Sequence, residues 1–208
     1  DPVFDADITA YALPRAKTVE IEGEVVLNVS DAPLRQLKLT FDKTSAPLVR
    51  FTSPLVGEQQ LDAATGVWSL TLRKESLGRV PLRFRLSLPS STKSEPTSPS
   101  GEPRTENPEL GTIEAQLPRI AINSVRRQHG IWVIEANTDT ELTFDSKAMQ
   151  PLDVLRVPAI SDYQPRHRVV AAFDYGSAEA TLTLHAARHG HSELAAVIVR
   201  QMKILSVL

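Results

Sequence analysis

Three histidines near the end of the chain, His185, His189 and His191, stand in an H-x3-H-x-H spacing. Imidazoles that converge hold zinc, and Glu193 is the nearest carboxylate to complete a ligand set. The plainer reading is a polar turn, Arg188-His189-Gly190-His191, behind a strand that carries His185 on its wet face; no metal is expected. A second group is basic: Arg126-Arg127 before His129, and Arg166-His167-Arg168 after Pro165. Brought together they would make a patch for an anionic ligand or polysaccharide; apart, they are solvated strand ends. Carboxylates recur at Asp1, Asp5 and Asp7, and at Asp139 and Glu141, spaced for one face of a strand. Such pairs serve calcium binding or glycosidase acid–base work, but no calcium-loop pattern surrounds them. Exposed strand carboxylates are the simpler account.

Aromatic faces bind sugars when they are exposed on a sheet. Trp68 shares its face with Leu70 and Leu72, and Trp132 lies within the apolar run Gly130–Ile134, so both are expected in the core. The residues singled out for ligand binding are Trp132, Tyr163, Arg166 and His167. There is no G-x-S-x-G, no S-x-x-K and no Gly-rich phosphate loop, and no catalytic residue or cofactor is expected.

The chain that must position these residues has 208 residues, 41% of them hydrophobic, and a formal net charge of -2. Both signs are interspersed, which argues against nucleic acid as a partner, since such binders carry a basic excess. No apolar run approaches the ~20 residues needed to span a bilayer, so this segment is not expected to insert into a membrane. Cysteine is absent, which excludes disulfides and thiolate chemistry. The start at Asp1 and the apolar run at 195–208 read as cuts from a longer chain.

The dominant pattern is alternation with period two. Val19, Ile21, Val25, Leu27 and Val29 alternate with polar residues; so do Leu37, Leu39 and Phe41; Trp68, Leu70 and Leu72; and Val80, Leu82, Phe84, Leu86 and Leu88. Strands of this kind bury one face and wet the other, the antiparallel habit. Weaker candidates are 5–13 and 47–52. Turn signals fall at Ser30-Asp31-Ala32-Pro33, Lys43-Thr44-Ser45 and Ala64-Thr65-Gly66. Pro81 marks 80–88 as an edge strand or one that starts beside a free backbone position. Beyond residue 110, Ile113, Ala115 and Leu117 alternate; 130–134 reads as a strand buried on both faces; two short strands are expected around 142–144 and 152–157. Residues 169–173 and 178–184 read as a hairpin about Asp174-Tyr175-Gly176-Ser177, and 195–208 as a strand rather than a helix.

Between Pro89 and Glu109 there is not one hydrophobic residue. Such a segment cannot offset the entropy of being ordered. The fold expected is therefore all-β, an antiparallel β-sandwich in two units, 1–88 and 110–208, joined by a disordered Pro/Ser-rich linker at 89–109. The alternative is one large sandwich with that segment as a long loop.

Leu117-Pro118-Arg119-Ile120, His129-Gly130-Ile131-Trp132-Val133-Ile134 and Val169-Val170-Ala171-Ala172-Phe173-Asp174-Tyr175 resemble β-sandwich regions of large bacterial cell-envelope proteins. The resemblance covers about a third of the chain. It implies an extracytoplasmic setting, periplasm or cell surface, and a non-catalytic role in protein interaction, adhesion or scaffolding, with a protein or polysaccharide partner. A carbohydrate-binding or accessory module of a polysaccharide-processing enzyme is the alternative.

Overall fold

The computed structural model describes residues 2–93, 112–176 and 179–188. It is all-β: thirteen strands, two short 3-10 turns and no α-helix among the described residues. The strands are β1 (Val3–Pro14), β2 (Thr18–Phe41), β3 (Arg50–Phe51), β4 (Val56–Asp62), β5 (Val67–Pro89), β6 (Ser91–Lys93) and β7 (Thr112–Gln116). They continue with β8 (Ile120–Ile122), β9 (Arg127–Ala136), β10 (Thr140–Lys147), β11 (Gln150–Leu152), β12 (Arg168–Tyr175) and β13 (Thr181–Arg188). A nine-stranded sheet runs β11-β12-β9-β1-β2-β5-β3, with β4 joined to β5 and β8 to β2. A four-stranded sheet runs β10-β13-β7-β6.

The frame of the large sheet is β2 paired antiparallel with β5, from Thr18 opposite Pro89 to Thr40 opposite Val67. The alternating apolar residues of both strands face inward, where Ile21, Leu27, Leu39, Leu70 and Leu82 are at most 1% exposed. The four-stranded sheet covers this face with Ala115, Leu182 and Leu184, and Phe144 meets Phe173 edge-on at 5.2 Å between ring centres. That burial is the main stabilising term, at about 1.5–3 kcal/mol for each large aliphatic or aromatic side chain fully removed from water.

Several expectations are corrected. The sheet is not purely antiparallel, because β1 and β9 run parallel from Asp5/Arg127 to Ala12/Ile134. That pairing, and β2 with β8, put strands from both sides of 89–109 in one sheet and one core, as in the single-sandwich alternative. The start of that segment is a strand, β6, lying antiparallel beside β7; residues 94–109 lie outside the described residues.

The turn expected at 30–33 is instead an irregularity inside the continuous β2, where Asp31 takes φ 68° and the register with β5 shifts after Val29. Strand 80–88 is not a bare edge, since β3 pairs with it at Arg85 and Phe84. The 169–184 hairpin does not form. β12 pairs with β9 and β11, while β13 pairs with β10 and β7, so the chain passes from one sheet to the other between Tyr175 and Thr181. The expected strand at 152–157 shrinks to β11, followed by a 3-10 turn at Val154–Arg156. The run 195–208, with His189 and His191, lies outside the described residues.

Two glycines on the inner face make room for a cross-strand aromatic ring. Gly23 lies opposite Phe84, and a Cβ on it would stand 2.4 Å from the ring tip. Gly130 lies opposite Tyr175, and a Cβ there would stand 2.1 Å from Cζ. Each ring covers its glycine and fills the space of the missing side chain. Gly23→Ala is therefore expected to destabilise the fold by about 1–3 kcal/mol in urea unfolding, as overpacked cores do. Adding Phe84→Leu to Gly23→Ala should recover part of that loss, since the shorter side chain vacates the clash.

Candidate functional site

The outer face of the large sheet is where polar side chains gather. On β2, Glu20, Glu22 and Glu24 point outward, and β5 places Ser87, Arg85 and Arg83 directly opposite them. Further along the same face, Tyr11 of β1 and Ile131 and Val133 of β9 form a small apolar cluster with Ile160. Residues 153–167, between β11 and β12, cross this face as a strap with no strand of their own. Pro158 and Pro165 stiffen it, and the Asp153 carboxylate accepts from the Leu155 N–H at 3.0 Å to start its 3-10 turn.

The strap is held by a buried acid. Glu135 is 0% exposed on the outer side of β9. Its carboxylate accepts from the Tyr163 hydroxyl, from the Arg166 backbone N–H at 2.7 Å and from the His167 backbone N–H at 2.9 Å. Burying a carboxylate costs several kcal/mol, and only a full set of donors offsets that cost. The strap supplies those donors, so its path is dictated by Glu135. A second buried acid, Glu24 at 2% exposed, accepts from the Ser161 N–H at 3.3 Å and lies 3.8 Å from Arg79. Arg83 reaches the Ser161 carbonyl at 3.3 Å and Asp162 at 3.4 Å. Arg166 bonds Glu20 at 3.3 Å and Glu22 at 2.8 Å, and Arg15 contacts both Glu20 and His167.

Of the four residues singled out from the sequence, Tyr163, Arg166 and His167 come together on this strap. Trp132 does not join them; it faces inward, 2% exposed, near Leu117, Tyr175 and Leu182. Trp68 is also in the core, its indole N–H donating to the Ala46 carbonyl at 3.0 Å. The basic pairs do not form a common patch. Arg126 makes a bidentate pair with Asp5 at 2.9 and 2.7 Å, Arg127 lies 3.9 Å from Asp5, and His129 sits 3.8 Å from Asp7 and 3.3 Å from Asp174. The Arg126 guanidinium holds the Asp5 carboxyl below its ordinary range. His185 lies 3.0 Å from Asp145 and 3.9 Å from Glu114. Among the described residues no cluster of three or more His, Asp or Glu is arranged to hold a metal ion.

Glu135 and Glu24 were missed in the sequence. The one signal for Glu135 is its position, immediately after an apolar run that is buried on both faces.

A cleft of about 150 Å³ opens beside the strap. Glu22, Thr52, Arg83 and Arg85 of the sheet side and Ser161 and Tyr163 of the strap line it. Tyr163 stacks at a tilt on Tyr11, with ring centres 4.9 Å apart.

Neither a protein-family model nor a curated protein matches the chain. Among solved structures, an M1 zinc metallopeptidase from Deinococcus radiodurans is 8% identical, with a TM-score of 0.38 over 88% of this chain and 42% of that one. A mutant of that metallopeptidase bound to a Tyr-Ser-Ala substrate gives 10% and 0.36, and a two-domain M1 zinc metallopeptidase mutant bound to L-tryptophan gives 9% and 0.39. The chain spans less than half the length of each, and likeness at this level carries no argument.

All three tyrosines of the chain resist ionisation. Burial pushes the Tyr175 phenol up. Burial does the same at Tyr163, reinforced by its bond to Glu135, and at Tyr11, reinforced by the Glu135 charge. The folded chain thus holds its phenolic protons where the unfolded chain, with phenols near about 10, releases them. The stabilisation is fully present below that pH and is lost as pH rises through the folded-state values. A spectrophotometric titration should show no tyrosinate step near pH 10 in the native protein. Tyrosinate should appear at higher pH, together with loss of the β-sheet circular dichroism.

Proposed function

We propose that this chain is a non-catalytic interaction module of a larger bacterial envelope or surface protein, acting outside the cytoplasm, and that its recognition surface is the strap face of the large sheet. The observation that carries this reading is the strap itself. An irregular segment is costly to order, and here two buried acids, a tyrosine pair and several arginines hold it in one shape. Loops fixed on a rigid sheet are where binding residues concentrate, and a preordered loop binds without a further ordering cost. The strap also holds Leu155 out to solvent at 90% exposed, with Val154 beside it at 38%. An apolar tip on a fixed loop suits a protein contact. The extracytoplasmic, bacterial setting is supported by the resemblance of the 117–120, 129–134 and 169–175 segments.

A carbohydrate-binding module is the second reading. It is favoured by the cleft beside the strap, which combines guanidinium, hydroxyl, carboxylate and aromatic groups within one small volume.

Co-sedimentation with isolated bacterial envelope fragments tests the module reading. The wild-type chain should pellet with the fragments, and Leu155→Asp should pellet at least several-fold less while keeping its melting temperature, because that side chain is 90% exposed. No pelleting by the wild-type chain, or equal pelleting by Leu155→Asp, contradicts recognition through the strap.

A further inference from the structure

We infer that the cleft beside the strap binds a carboxylate-bearing sugar unit, a hexuronate, with the Arg85 guanidinium gripping its carboxylate. This deepens the carbohydrate reading and rests on it. The argument begins with how the charges around the cleft are matched. Glu22 lies directly opposite Arg85 across β2 and β5, the position from which a cross-strand ion pair would form. Glu22 instead bonds Arg166 of the strap at 2.8 Å. Glu24 is taken by the Ser161 N–H and Arg79. Arg83 is taken by Ser161 and Asp162. On the other side of Arg85, β3 presents Arg50, another cation, whose guanidinium turns back to the Pro47 and Val49 carbonyls at 2.9 and 2.8 Å. Among the described residues the Arg85 side chain alone of this group makes no hydrogen bond or ion pair, and it is exposed at the cleft.

An arginine set between a diverted acid and a like charge calls for an anion. A guanidinium presents two parallel N–H donors, which match the two oxygens of a planar carboxylate. The rest of the lining selects what carries that carboxylate. Glu22 faces the same cleft, where a carboxylate accepts hydrogen bonds from hydroxyls and repels a doubly charged group such as phosphate. The hydroxyls of Thr52 and Ser161 both donate and accept, as sugar hydroxyls require. Ile160 and the ring of Tyr163, whose own hydroxyl is committed to Glu135, give an apolar wall. A singly charged ring bearing several hydroxyls meets all of these groups at once. A cleft of about 150 Å³ limits the grip to one such unit, either free or within a polymer.

Isothermal titration of the 208-residue chain with sodium galacturonate, tetragalacturonate, galactose and inorganic phosphate tests the site. Galacturonate, tetragalacturonate or both should bind, with galactose and phosphate at least tenfold weaker. Binding of the tetramer alone identifies a polymer as the source; equal binding of both identifies the single unit. Arg85→Gln, which stays polar but removes the charge and the forked pair of donors, should weaken binding tenfold or more without changing the melting temperature, because residue 85 is exposed. The inference is overturned if neither uronate binds, if phosphate or galactose binds as tightly, or if Arg85→Gln binds as the wild type does. A glycan array separates the two levels: binding to neutral glycans without uronates leaves the carbohydrate reading standing and removes the Arg85 site, whereas binding to no glycan removes both.

Discussion

A carboxylate buried in the middle of a sheet is the constraint on which the outer face depends. Glu135 lies on the outer side of β9, in a stretch buried on both faces, and is fully shielded from water. Left without donors, it would cost more than the fold can spare, because net stabilities are only about 5–15 kcal/mol. Its donors are the Tyr163 hydroxyl and two consecutive backbone N–H groups, those of Arg166 and His167, just before β12 begins. One side chain therefore sets where the strap lands, where β12 enters the sheet, and which way the Tyr163 ring leans on Tyr11. The positions of Ser161 over Glu24 and of Arg166 over Glu20 and Glu22 follow from the same placement.

The large sheet gives that latch something rigid to hold to. β2 and β5 are long enough to bear Phe41, Phe84 and Trp68, joined by Phe51 of β3, on one face and the charged rows on the other. Gly23 keeps Phe84 flat against the inner face, while the residues on either side of Gly23, Glu22 and Glu24, point outward toward the strap. Core packing and the anchoring of the strap are thus carried by alternate residues of the same strands, the separation that a period-two element provides. Because Arg166 pairs with Glu22, the strap determines which arginine beside the cleft is left without a side-chain partner among the described residues.

Much of the sheet was legible because alternation is a local property. The runs at 19–29, 68–72 and 80–88 show their buried faces residue by residue, and the 130–134 run announces a strand covered on both sides. What was not legible depends on partners distant in the chain. Val169–Phe173 and Ala180–Leu184 have the pattern of a hairpin, but pattern alone does not say that the two strands belong to different sheets. Ser30-Asp31-Ala32-Pro33 has turn composition, yet a residue at positive φ also fits an irregularity within one strand, and the pairing with β5 carries the chain straight through. β4 carries a run of polar residues, Glu58-Gln59-Gln60, with no alternation to mark it. Tyr163, Arg166 and His167 were singled out by composition near a proline. Glu135 was not, because a single acid after an apolar run reads as the end of a strand, and its donors lie 28 to 32 residues further on. Arg85 carries no signal of its own in the sequence: the pairing of β2 with β5 places Glu22 opposite it, and only the folded strap shows that Glu22 is engaged elsewhere.

Native-state hydrogen exchange at the Arg166 and His167 amides tests the latch most directly. If Glu135 holds the strap, these two amides, although they lie in a segment without secondary structure, should exchange only through large openings. They should be slower than the nearby Gln164 amide by roughly a hundredfold or more, and close to the amides of β9. Exchange of Arg166 and His167 at the Gln164 rate would contradict the account, because the strap would then leave its buried acid freely and could not be the fixed surface on which recognition rests.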